Sequence, residues 1–427
     1  MDPAELDPRS LYRLPWSWTD NAIAWYEPTS MCNLACEGCY RENVRDSHKP
    51  LGLVRRELDA LKRLRTSDCL NIAGGDPLLH PAIVDIVGEA KRRGWKPIVV
   101  TNGVLLTADL LRDLKRAGAF GFTIHVDSKQ GRPGRWRGAS ETALNELRLE
   151  YAAMLARAGG LVCTFDCTVY PDTLRDVPGM IAWAHRHIDL VQNMVFIALR
   201  RLHDDLPFEW LADGRPVARD DVVYFADRAP GVELKSTDLL RVAREAFPEF
   251  APCAYLNGTE QADSFRWMLT ERVGTTREIY GYTGPRFLEL VMTAHHLLTG
   301  RYLSHLPPRL AGTRAALLAL WPLDSGVRHA AARMLASVAR RPLDVFRRAC
   351  FQTVSFIQPV DFLPGGEQNM CDGCPDATIW NDRLVPSCRL GELTRFGTLL
   401  TSAPRKAAAP TPQPQASTVS SAGGRRL

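Results

Sequence analysis

Hydrophobic positions in the first 200 residues alternate between short apolar runs and longer stretches with helical spacing. The short runs predict strands at residues 22–28, 69–73, 95–101, 121–126, 161–169 and 190–198. The longer stretches predict helices at residues 53–64, 81–93, 107–117, 140–158 and 173–187. Strands and helices in this order are typical of parallel βα units, so the sequence predicts an α/β fold, a partial (β/α)6 barrel over residues 21–200.

The rest of the chain departs from this alternation. Residues 1–20 are predicted to form an N-terminal extension, residues 201–349 a mostly helical insertion, residues 350–400 a small cysteine-rich lobe and residues 401–427 a disordered tail. Helices in the insertion are expected at residues 287–298, 314–320 and 327–339. Their apolar surface either forms a core of its own or provides a lid or wall for a large, partly apolar substrate.

Three cysteines, Cys32, Cys36 and Cys39, follow the first predicted strand at the spacing C-x3-C-x2-C. Three thiolates can hold three irons of one cubane cluster and leave the fourth iron open for chemistry. A structural zinc site or three unrelated buried thiols are the alternatives.

Polar residues and glycines follow the next three predicted strands. Because the carboxyl ends of parallel strands meet at one edge of a sheet, we expect these residues to share that edge with the cysteines, although each segment could be only a turn. They are Gly74, Gly75, Asp76 and Pro77 after the second strand, Thr101 and Asn102 at the end of the third, and His125, Asp127 and Ser128 at the end of the fourth.

The cysteine spacing, with Tyr40 directly after the third cysteine, resembles the motif of the radical S-adenosylmethionine (radical SAM) superfamily. Residues 74–77 resemble its Gly-Gly-Glu-Pro motif, with Asp76 in place of glutamate. The resemblance implies a [4Fe–4S] cluster whose open iron binds S-adenosylmethionine, and it places Tyr40 and the strand-end residues near that cofactor. It also implies reductive cleavage to a 5′-deoxyadenosyl radical, which takes a hydrogen atom from the substrate.

Alternation along the fifth predicted strand places Thr164, Asp166 and Thr168 on one face, which we expect to face the substrate. Cys163 and Cys167 lie on the other face and are expected to pack under helices. The alternative is that Cys163 or Cys167 is catalytic and donates a hydrogen atom to a substrate radical, as a cysteine does in some epimerases of the family.

A second cysteine group, Cys371, Cys374 and Cys388, flanks a predicted hairpin. Zinc is one interpretation of this spacing. The group also resembles the SPASM or twitch extensions of radical SAM enzymes and the molybdopterin-precursor cyclase, which implies an auxiliary [4Fe–4S] cluster. Its fourth ligand is either Cys350 or, with less support, Cys253; otherwise its open iron binds substrate.

Composition narrows the classes of partner. The formal net charge is +5, and four basic residues with no acid lie in residues 402–427, so the nearly neutral body gives no electrostatic case for nucleic-acid binding. The sequence predicts neither a transmembrane segment nor a secretory signal. Eleven cysteines without an export signal indicate a reducing, cytoplasmic location.

The sequence therefore predicts a radical SAM enzyme that acts on a small-molecule or lipid-like substrate. The auxiliary cluster would assist oxidation or bind substrate, and an electron donor such as flavodoxin or ferredoxin is an expected partner. A maturase of a ribosomally made peptide is the alternative within the family. A non-catalytic metal-binding or redox-sensing protein is the alternative from another class.

Overall fold

The computed structural model describes residues 6–199, 207–218, 221–222, 234–262, 264–307, 321–363 and 365–405, and every structural statement below refers to these ranges. The predicted helix at residues 314–320 and nearly all of the predicted tail lie outside them. Within these ranges, no helix is long and apolar enough to cross a membrane.

The predicted parallel α/β unit is confirmed. Six parallel strands pair in chain order, and a helix follows each of the first five strands as a crossover. The strands are β2 Ile23–Tyr26, β3 Cys69–Ile72, β4 Lys96–Thr101, β5 Gly121–His125, β6 Val162–Val169 and β7 Asn193–Ala198. The helices are α1 Leu51–Leu64, α2 Ile83–Arg92, α3 Ala108–Ala117, α4 Glu141–Ala158 and α5 Val177–Arg186.

Local sequence signals account for the ends of these helices. The Thr107 hydroxyl accepts a hydrogen bond from the Leu110 amide at the start of α3, and Gly118 ends that helix with φ of +109°. Ser140 caps α4 in the same way, and Gly159 follows it. The apolar faces of α1–α5 pack with β2–β7 in one core, which holds the carboxyl ends of the strands in a fixed order.

The sheet continues beyond β7 in a way the sequence did not predict. Strand β13, Cys350–Ile357, pairs in parallel with β7, and β11, Trp267–Gly274, is antiparallel to β13. Strands β10, Ala254–Leu256, and β12, Ile279–Tyr282, both pair with β11, and β1, Tyr12–Arg13, pairs with β10. The eleven-stranded sheet runs from β1 to β2, which do not pair within the described residues, so no closed barrel forms.

These strands correct three predicted boundaries. The N-terminal extension contributes β1, the mostly helical insertion contributes β10–β12, and β13 belongs to the main sheet rather than to the cysteine-rich lobe. The periodicity of β11 was obscured because it carries polar residues on both faces: Thr270 and Arg272 are buried on one side, and Glu271 lies on the other. The later helices are α6 Ser236–Ala246, α7 Pro285–Thr299, α8 Ser325–Arg340 and α9 Leu390–Phe396.

Small elements complete the described chain. The predicted hairpin is present as β16 and β17, and its turn residues Asn381 and Asp382 have φ of +46° and +58°, as a tight two-residue turn requires. Strand β18 lies inside the range predicted as tail, so that boundary is also wrong. The small strands are β8 Phe208–Ala212, β9 Arg215–Pro216, β14 Asp361–Phe362, β15 Gln368–Asn369, β16 Ala377–Trp380, β17 Arg383–Pro386 and β18 Thr401–Pro404. Short 3-10 helices lie at Pro8–Ser10, Pro77–Leu79, Gly134–Trp136, Leu174–Asp176, Pro342–Phe346 and Ser387–Arg389.

A carboxylate on the outer face of the parallel unit gives a pH-dependent prediction. The side chain of Glu89 is 7% exposed and pairs with Arg55, Arg92 and Arg93. Burial alone would raise the pKa of Glu89, but the three guanidinium groups outweigh it and lower the pKa to about 2. A depressed pKa stabilises the fold above the unfolded value of 4.5, and this stabilisation is lost as the pH falls towards 2.

We therefore expect Glu89→Gln to lower the free energy of unfolding at pH 7 by about 1–2 kcal/mol, a value discounted because the arginines are partly solvated. Urea unfolding at pH 7, 5, 4 and 3.5 measures this difference, which should narrow below pH 4.5. A difference that stayed constant across this range would show that the charge of Glu89 does not stabilise the fold.

Candidate functional site

Both cysteine groups line one cavity of about 620 Å³ at the carboxyl ends of the parallel strands. The cavity reaches the last residues of β4, β5 and β7, which are Thr101, His125 and Ala198. This is the end of a parallel sheet where reactive groups are expected, and the volume is in the range of small-molecule and cofactor sites.

The first cysteine loop follows the carboxyl end of β2 and lies beside the cavity. Cys32, Cys36 and Cys39 all line the cavity, and the side-chain amide of Asn102, at the end of β4, donates to the Cys32 sulfur at 3.8 Å. Burial raises the pKa of the Cys36 thiol, and Asp127, Cys39 and Cys32 raise it further. Burial is also the main cause of the raised pKa of Cys32 and Cys39, so these groups need a bound metal to remain thiolates.

The turn after β3 supports this cysteine loop directly. The amide of Gly75 donates to the Thr29 carbonyl at 3.0 Å, and the amide of Asp76 donates to the Met31 carbonyl at 2.8 Å. A Cβ atom on Gly74 would overlap the Thr29 carbonyl, and one on Gly75 would overlap the carbonyl of Met31. Glycine is therefore required here because the two backbones approach closely.

The Asp76 side chain does not reach the cavity. It is 1% exposed, and its carboxylate accepts hydrogen bonds from the Thr101 hydroxyl, the Asn102 amide and the Leu78 amide. Burial raises the pKa of Asp76, although these hydrogen bonds lower it in part. Asp76 therefore joins the ends of β3 and β4, while Pro77 starts the buried 3-10 helix behind it.

The residues after β5 divide into one that lines the cavity and two that support it. His125 lines the cavity, and its Nε2 atom lies 2.8 Å from the Asp127 carboxylate and 3.1 Å from the Thr168 hydroxyl. Burial opposes the charged form of His125, but the hydrogen bond and charge of Asp127 outweigh it and raise the pKa. Asp127 is buried, and the Ser128 amide donates to Glu141, so neither faces the cavity.

Strand β6 shows the predicted alternation. Thr164, Asp166 and Thr168 line the cavity. Cys163 is buried in the main core, and the sulfur of Cys167 contacts Glu141 and Met180 on the outer side of the sheet. This placement contradicts the alternative in which Cys163 or Cys167 donates a hydrogen atom to a substrate in the cavity.

The second cysteine group lies across the mouth of the same cavity. Cys371 forms an isolated bridge with Gly258 just beyond β10, and Cys374 lies three residues further on, before β16. Cys388 follows β17, which pairs with β16, so the hairpin returns the chain to the first two cysteines. All three cysteines line the cavity, and burial raises the pKa of each thiol.

Neither additional cysteine considered as a ligand is close to this group. Cys350 begins β13, whose other end, Ile357, lines the cavity, so seven strand residues of about 3.3 Å each separate Cys350 from the mouth. Cys253 lines the cavity but lies five residues before Gly258, roughly 16 Å along an extended chain. Proximity in the sequence suggested Cys350, but the strand carries it to the opposite end of the sheet.

Comparison with known proteins agrees with this geometry. Residues 26–184 match the model of the Radical SAM superfamily. Residues 26–184 therefore form a radical SAM domain. This domain implies a [4Fe–4S] cluster and S-adenosylmethionine as cofactors, and it contains Cys32, Cys36, Cys39 and the turn at Gly74.

Individual curated relatives align with this chain over part of their length. A tungsten-containing aldehyde ferredoxin oxidoreductase cofactor-modifying protein of Pyrococcus furiosus is 34% identical over 22% of this chain and 27% of its own. A PqqA peptide cyclase of Streptomyces rochei is 30% identical over 40% of this chain and 46% of its own. The chain thus spans less than half the length of these two curated relatives. The crystal structure of Streptococcus suis SuiB bound to S-adenosylmethionine covers 54% of this chain and 47% of its own, with 12% identity and a TM-score of 0.38.

Each of the two cysteine groups supplies three thiols to the cavity. Within the described ranges, no group of three or more His, Cys, Asp or Glu side chains is arranged so that it could hold a single metal ion. A zinc site brings its sulfurs to about 2.3 Å from one point, whereas an iron–sulfur cluster spaces them around an inorganic core. Three thiols are the ligand set of a [4Fe–4S] cluster with one open iron, which is the cofactor that the family match implies at Cys32, Cys36 and Cys39.

A buried arginine connects the second cysteine group to the parallel α/β unit. The Arg65 side chain is fully buried and donates to four backbone carbonyls, those of Trp18, Ile23, Cys374 and Pro375, at 2.6–3.1 Å. Burial lowers the pKa of Arg65 to about 10, which leaves it charged at neutral pH. This one side chain therefore connects the end of α1 to the segment between the second and third cysteines of the hairpin.

We expect Arg65→Met to lower the free energy of unfolding by about 3–5 kcal/mol, because four buried carbonyls lose their donor. It should also reduce the iron retained by the second cysteine group. Anaerobic urea unfolding and iron analysis measure both effects. Arg63→Met is the matched control, since Arg63 is exposed near the end of the same helix and its change should stay within about 0.5 kcal/mol. Equal stability of the two variants would contradict this role for Arg65.

The structure adds residues that the sequence did not single out. Asp376 lines the cavity, and burial raises its pKa to about 7. It joins Asp166, which was expected on the substrate face of the fifth strand and whose pKa burial raises to about 6. Glu271 on β11 lines the cavity as well, and burial raises its pKa to about 7 despite a hydrogen bond from Thr353. Asp376 follows Cys374 so closely that its position could have been anticipated, whereas Glu271 joins the site only through the unpredicted strand.

Helix α7 forms part of the cavity wall. Its residues Phe287, Leu288, Val291 and Met292 line the cavity. The segment after α7 crosses the amino ends of the strands, where the amide of Ser304 donates to Asp68 and the Lys96 ammonium donates to the carbonyl of His305. The insertion therefore lines the cavity near the amino ends of the strands. This supports the interpretation of its apolar surface as a wall of the cavity rather than as a lid over the carboxyl ends.

Proposed function

We propose that this protein is a radical SAM enzyme that oxidises, or forms a bond in, a partly apolar small-molecule or lipid-like substrate. The observation that carries the proposal is that Cys32, Cys36 and Cys39 share one walled cavity with Cys371, Cys374 and Cys388. When bound, the first cluster and S-adenosylmethionine would supply a 5′-deoxyadenosyl radical, and an auxiliary [4Fe–4S] cluster would accept an electron or hold the substrate.

The chain's own residues would hold the cofactor at the strand ends. The backbone around Gly74 and Gly75 would bind the methionine end beside the cysteine loop. Asn102 would orient Cys32 and His125 would face the cofactor, with Asp76 and Asp127 fixing their positions from behind. Tyr40, which is 36% exposed and lines the cavity, would cover the cofactor on the mouth side. Enclosure by these residues would exclude water and stray hydrogen donors.

The lining favours a substrate with a large apolar part. Aromatic and aliphatic side chains dominate the wall on the side of β11, β13 and α7, and the lining also contains the carboxylates of Glu37, Asp166, Glu271 and Asp376. The apolar lining includes Trp16, Trp267, Leu269, Phe287, Leu288, Met292, Phe351 and Ile357. Contact with such a wall removes apolar surface of the substrate from water, which makes the free energy of binding more favourable by about 25 cal/mol per Å² of buried surface.

A peptide substrate is the second candidate. Two PqqA peptide cyclases, of Streptomyces rochei and Gluconobacter oxydans, match the chain at 30% identity. In that case the cavity would accept a side chain of a peptide that lies across the mouth. We propose a reducing cytoplasm as the location, because none of the eleven cysteines forms a disulfide. Flavodoxin or ferredoxin is the proposed electron donor.

The test is an anaerobic assay of the reconstituted, reduced protein for 5′-deoxyadenosine. Organic extracts, small polar metabolites and peptide fractions of the source cells are added separately. The account predicts basal cleavage, with stimulation by the organic fraction. Stimulation by peptides alone would support the peptide candidate, and no cleavage under any condition would favour a non-catalytic metal-binding or redox-sensing protein.

A further inference from the structure

The fourth corner of the second metal site lacks a cysteine. Cys350 lies at the opposite end of the sheet and Cys253 precedes β10, five residues before Gly258, so neither of these two thiols completes the group of Cys371, Cys374 and Cys388. A cluster held by three cysteines either remains open or takes a ligand of another type. The surrounding residues therefore decide how this site is completed.

Hairpin register places one carboxylate among the three cysteines. Ala377 pairs with Pro386 across the hairpin, and the amide of Ser387 donates to the backbone carbonyl of Asp376 at 2.9 Å. Asp376 is thus opposite the residue that precedes Cys388, and it lies two residues after Cys374. The antiparallel pairing brings Asp376 to the open end of the hairpin together with both cysteines.

The half-buried Asp376 carboxylate has no hydrogen bond or salt bridge within the described residues, although it lines the cavity. Asp376 shares the lining of this cavity with Cys371, Cys374 and Cys388. The nearby Arg65 uses its donors on backbone carbonyls instead. A carboxylate placed in this way without a proton donor is suited to bind a cationic centre.

The other acid of this loop differs. Asp372 lies between Cys371 and Cys374, yet its carboxylate accepts hydrogen bonds from the Arg13 guanidinium and the Asn257 amide. Both acids are adjacent to ligand cysteines, but the chain itself satisfies only Asp372. This contrast separates a carboxylate that fixes the loop from one that faces the cavity.

An independent observation indicates an acceptor group in the same space. Trp16 is 8% exposed and lines the cavity, and its indole nitrogen has no hydrogen-bond acceptor among the described residues. The Trp16 backbone touches the loop so closely that a Cβ atom on Gly373 would overlap its carbonyl. A buried N–H without an acceptor is costly, and a sulfide or thiolate of a cluster at this position would satisfy it.

We propose that Asp376 is the fourth ligand of the auxiliary cluster, with carboxylate oxygen on the iron that no cysteine holds. The proposal rests on the auxiliary cluster of the proposed function. Three thiolates and one carboxylate give four anionic ligands, and the harder oxygen donor is exchanged more readily than a thiolate. The auxiliary site would thus be closed at rest, with one iron that a substrate group can reach by displacing Asp376.

The test uses the full chain with Cys32, Cys36 and Cys39 all replaced by alanine, so that only the auxiliary site can bind iron. This parent should retain about four irons per chain, as a cubane requires. Asp376→Ala should lose one iron after mild oxidation and give the electron paramagnetic resonance signal of a three-iron cluster. Asp376→Cys should keep all its iron and shift the midpoint potential to a more negative value, because thiolate donates more charge to the cluster.

Asp382→Asn is the matched control, because it removes an exposed carboxylate from the turn of the same hairpin, and it should keep the parent's iron content and signal. Spectra and potentials of Asp376→Ala and Asp376→Cys identical to those of the parent would overturn the proposal. Equal loss of iron from both would also overturn it, because a new thiolate ligand should restore the site. A parent that binds no iron would instead refute the auxiliary cluster itself and leave the radical SAM assignment of residues 26–184 unaffected.

Discussion

Cys36→Ala is expected to abolish the formation of 5′-deoxyadenosine from S-adenosylmethionine. Cys36 lines the cavity between the other two cysteines of its loop, and two thiolates cannot retain the cluster that the family requires. Loss of groups that merely support metal ligands costs 10–100-fold, so loss of a ligand should exceed about 100-fold. The measurement is chromatographic quantification of 5′-deoxyadenosine from anaerobically reconstituted, reduced protein.

Two matched variants make this result specific. Cys163→Ala removes a buried cysteine that does not face the cavity, and it should cleave S-adenosylmethionine at nearly the wild-type rate. Cys371→Ala alters the second cysteine group and should retain part of the cleavage. Wild-type rates from Cys36→Ala would show that the catalytic cluster has been assigned to the wrong cysteines.

Asp76→Ala is expected to have the second largest effect, through position rather than contact. Its carboxylate accepts hydrogen bonds from the amides of Leu78 and Asn102 and from the Thr101 hydroxyl. Each buried donor left without an acceptor costs about 1–3 kcal/mol, so the free energy of unfolding should fall by about 3–5 kcal/mol. Because Asn102 contacts Cys32, affinity for S-adenosylmethionine should also fall by about tenfold or more.

Asp76→Asn is the informative intermediate. The amide oxygen of the new asparagine can still accept the hydrogen bond from the Leu78 amide. Its NH2 group would replace the oxygen that accepts from the Asn102 amide, so two hydrogen-bond donors would face each other there. Urea unfolding and equilibrium binding of S-adenosylmethionine to the reconstituted protein should rank the two variants, with Asp76→Ala weaker in both. Wild-type stability and affinity in Asp76→Ala would contradict the role assigned to this carboxylate.

Much of the parallel unit could be predicted because its signals are local. Apolar periodicity gave β2–β7 and α1–α5, and the helix-terminal residues Thr107 and Gly118 lie where propensity favours them. The spacing of Cys32, Cys36 and Cys39 predicted a metal site without any tertiary information, and the three cysteines lie inside the region that matches the radical SAM family. Local rules suffice when the residues that make a site are close in the chain.

Long-range pairing explains what could not be predicted. Strand β13 pairs with β7 although about 150 residues separate them in the chain. Strand β11 carries the polar residue Glu271 on the face that lines the cavity, so its sequence lacks the apolar alternation that identifies a strand. The same pairing places Cys350 far from the cysteines that follow it in the sequence. Trp16 enters the site because the N-terminal segment packs against the loop at Gly373, for which no sequence motif exists.

Strand alternation also separates residues that compete for one role. Thr164, Asp166 and Thr168 face the cavity while Cys163 and Cys167 face away, so the register of β6 decides which side chains can meet a substrate. The polar side chains of β6 that line the cavity are therefore two hydroxyls and a carboxylate, and not thiols. A substrate with a large apolar part would contact α7, β11 and β13 instead.

The most direct test is electron–nuclear double resonance spectroscopy of the reduced first cluster. The protein is a variant in which Cys371, Cys374 and Cys388 are all alanine, and the S-adenosylmethionine carries ¹⁵N at its amine. The account predicts a ¹⁵N coupling, which shows the amine on the iron that Cys32, Cys36 and Cys39 leave free. A fully loaded, reduced cluster with saturating labelled cofactor and no ¹⁵N coupling would contradict it.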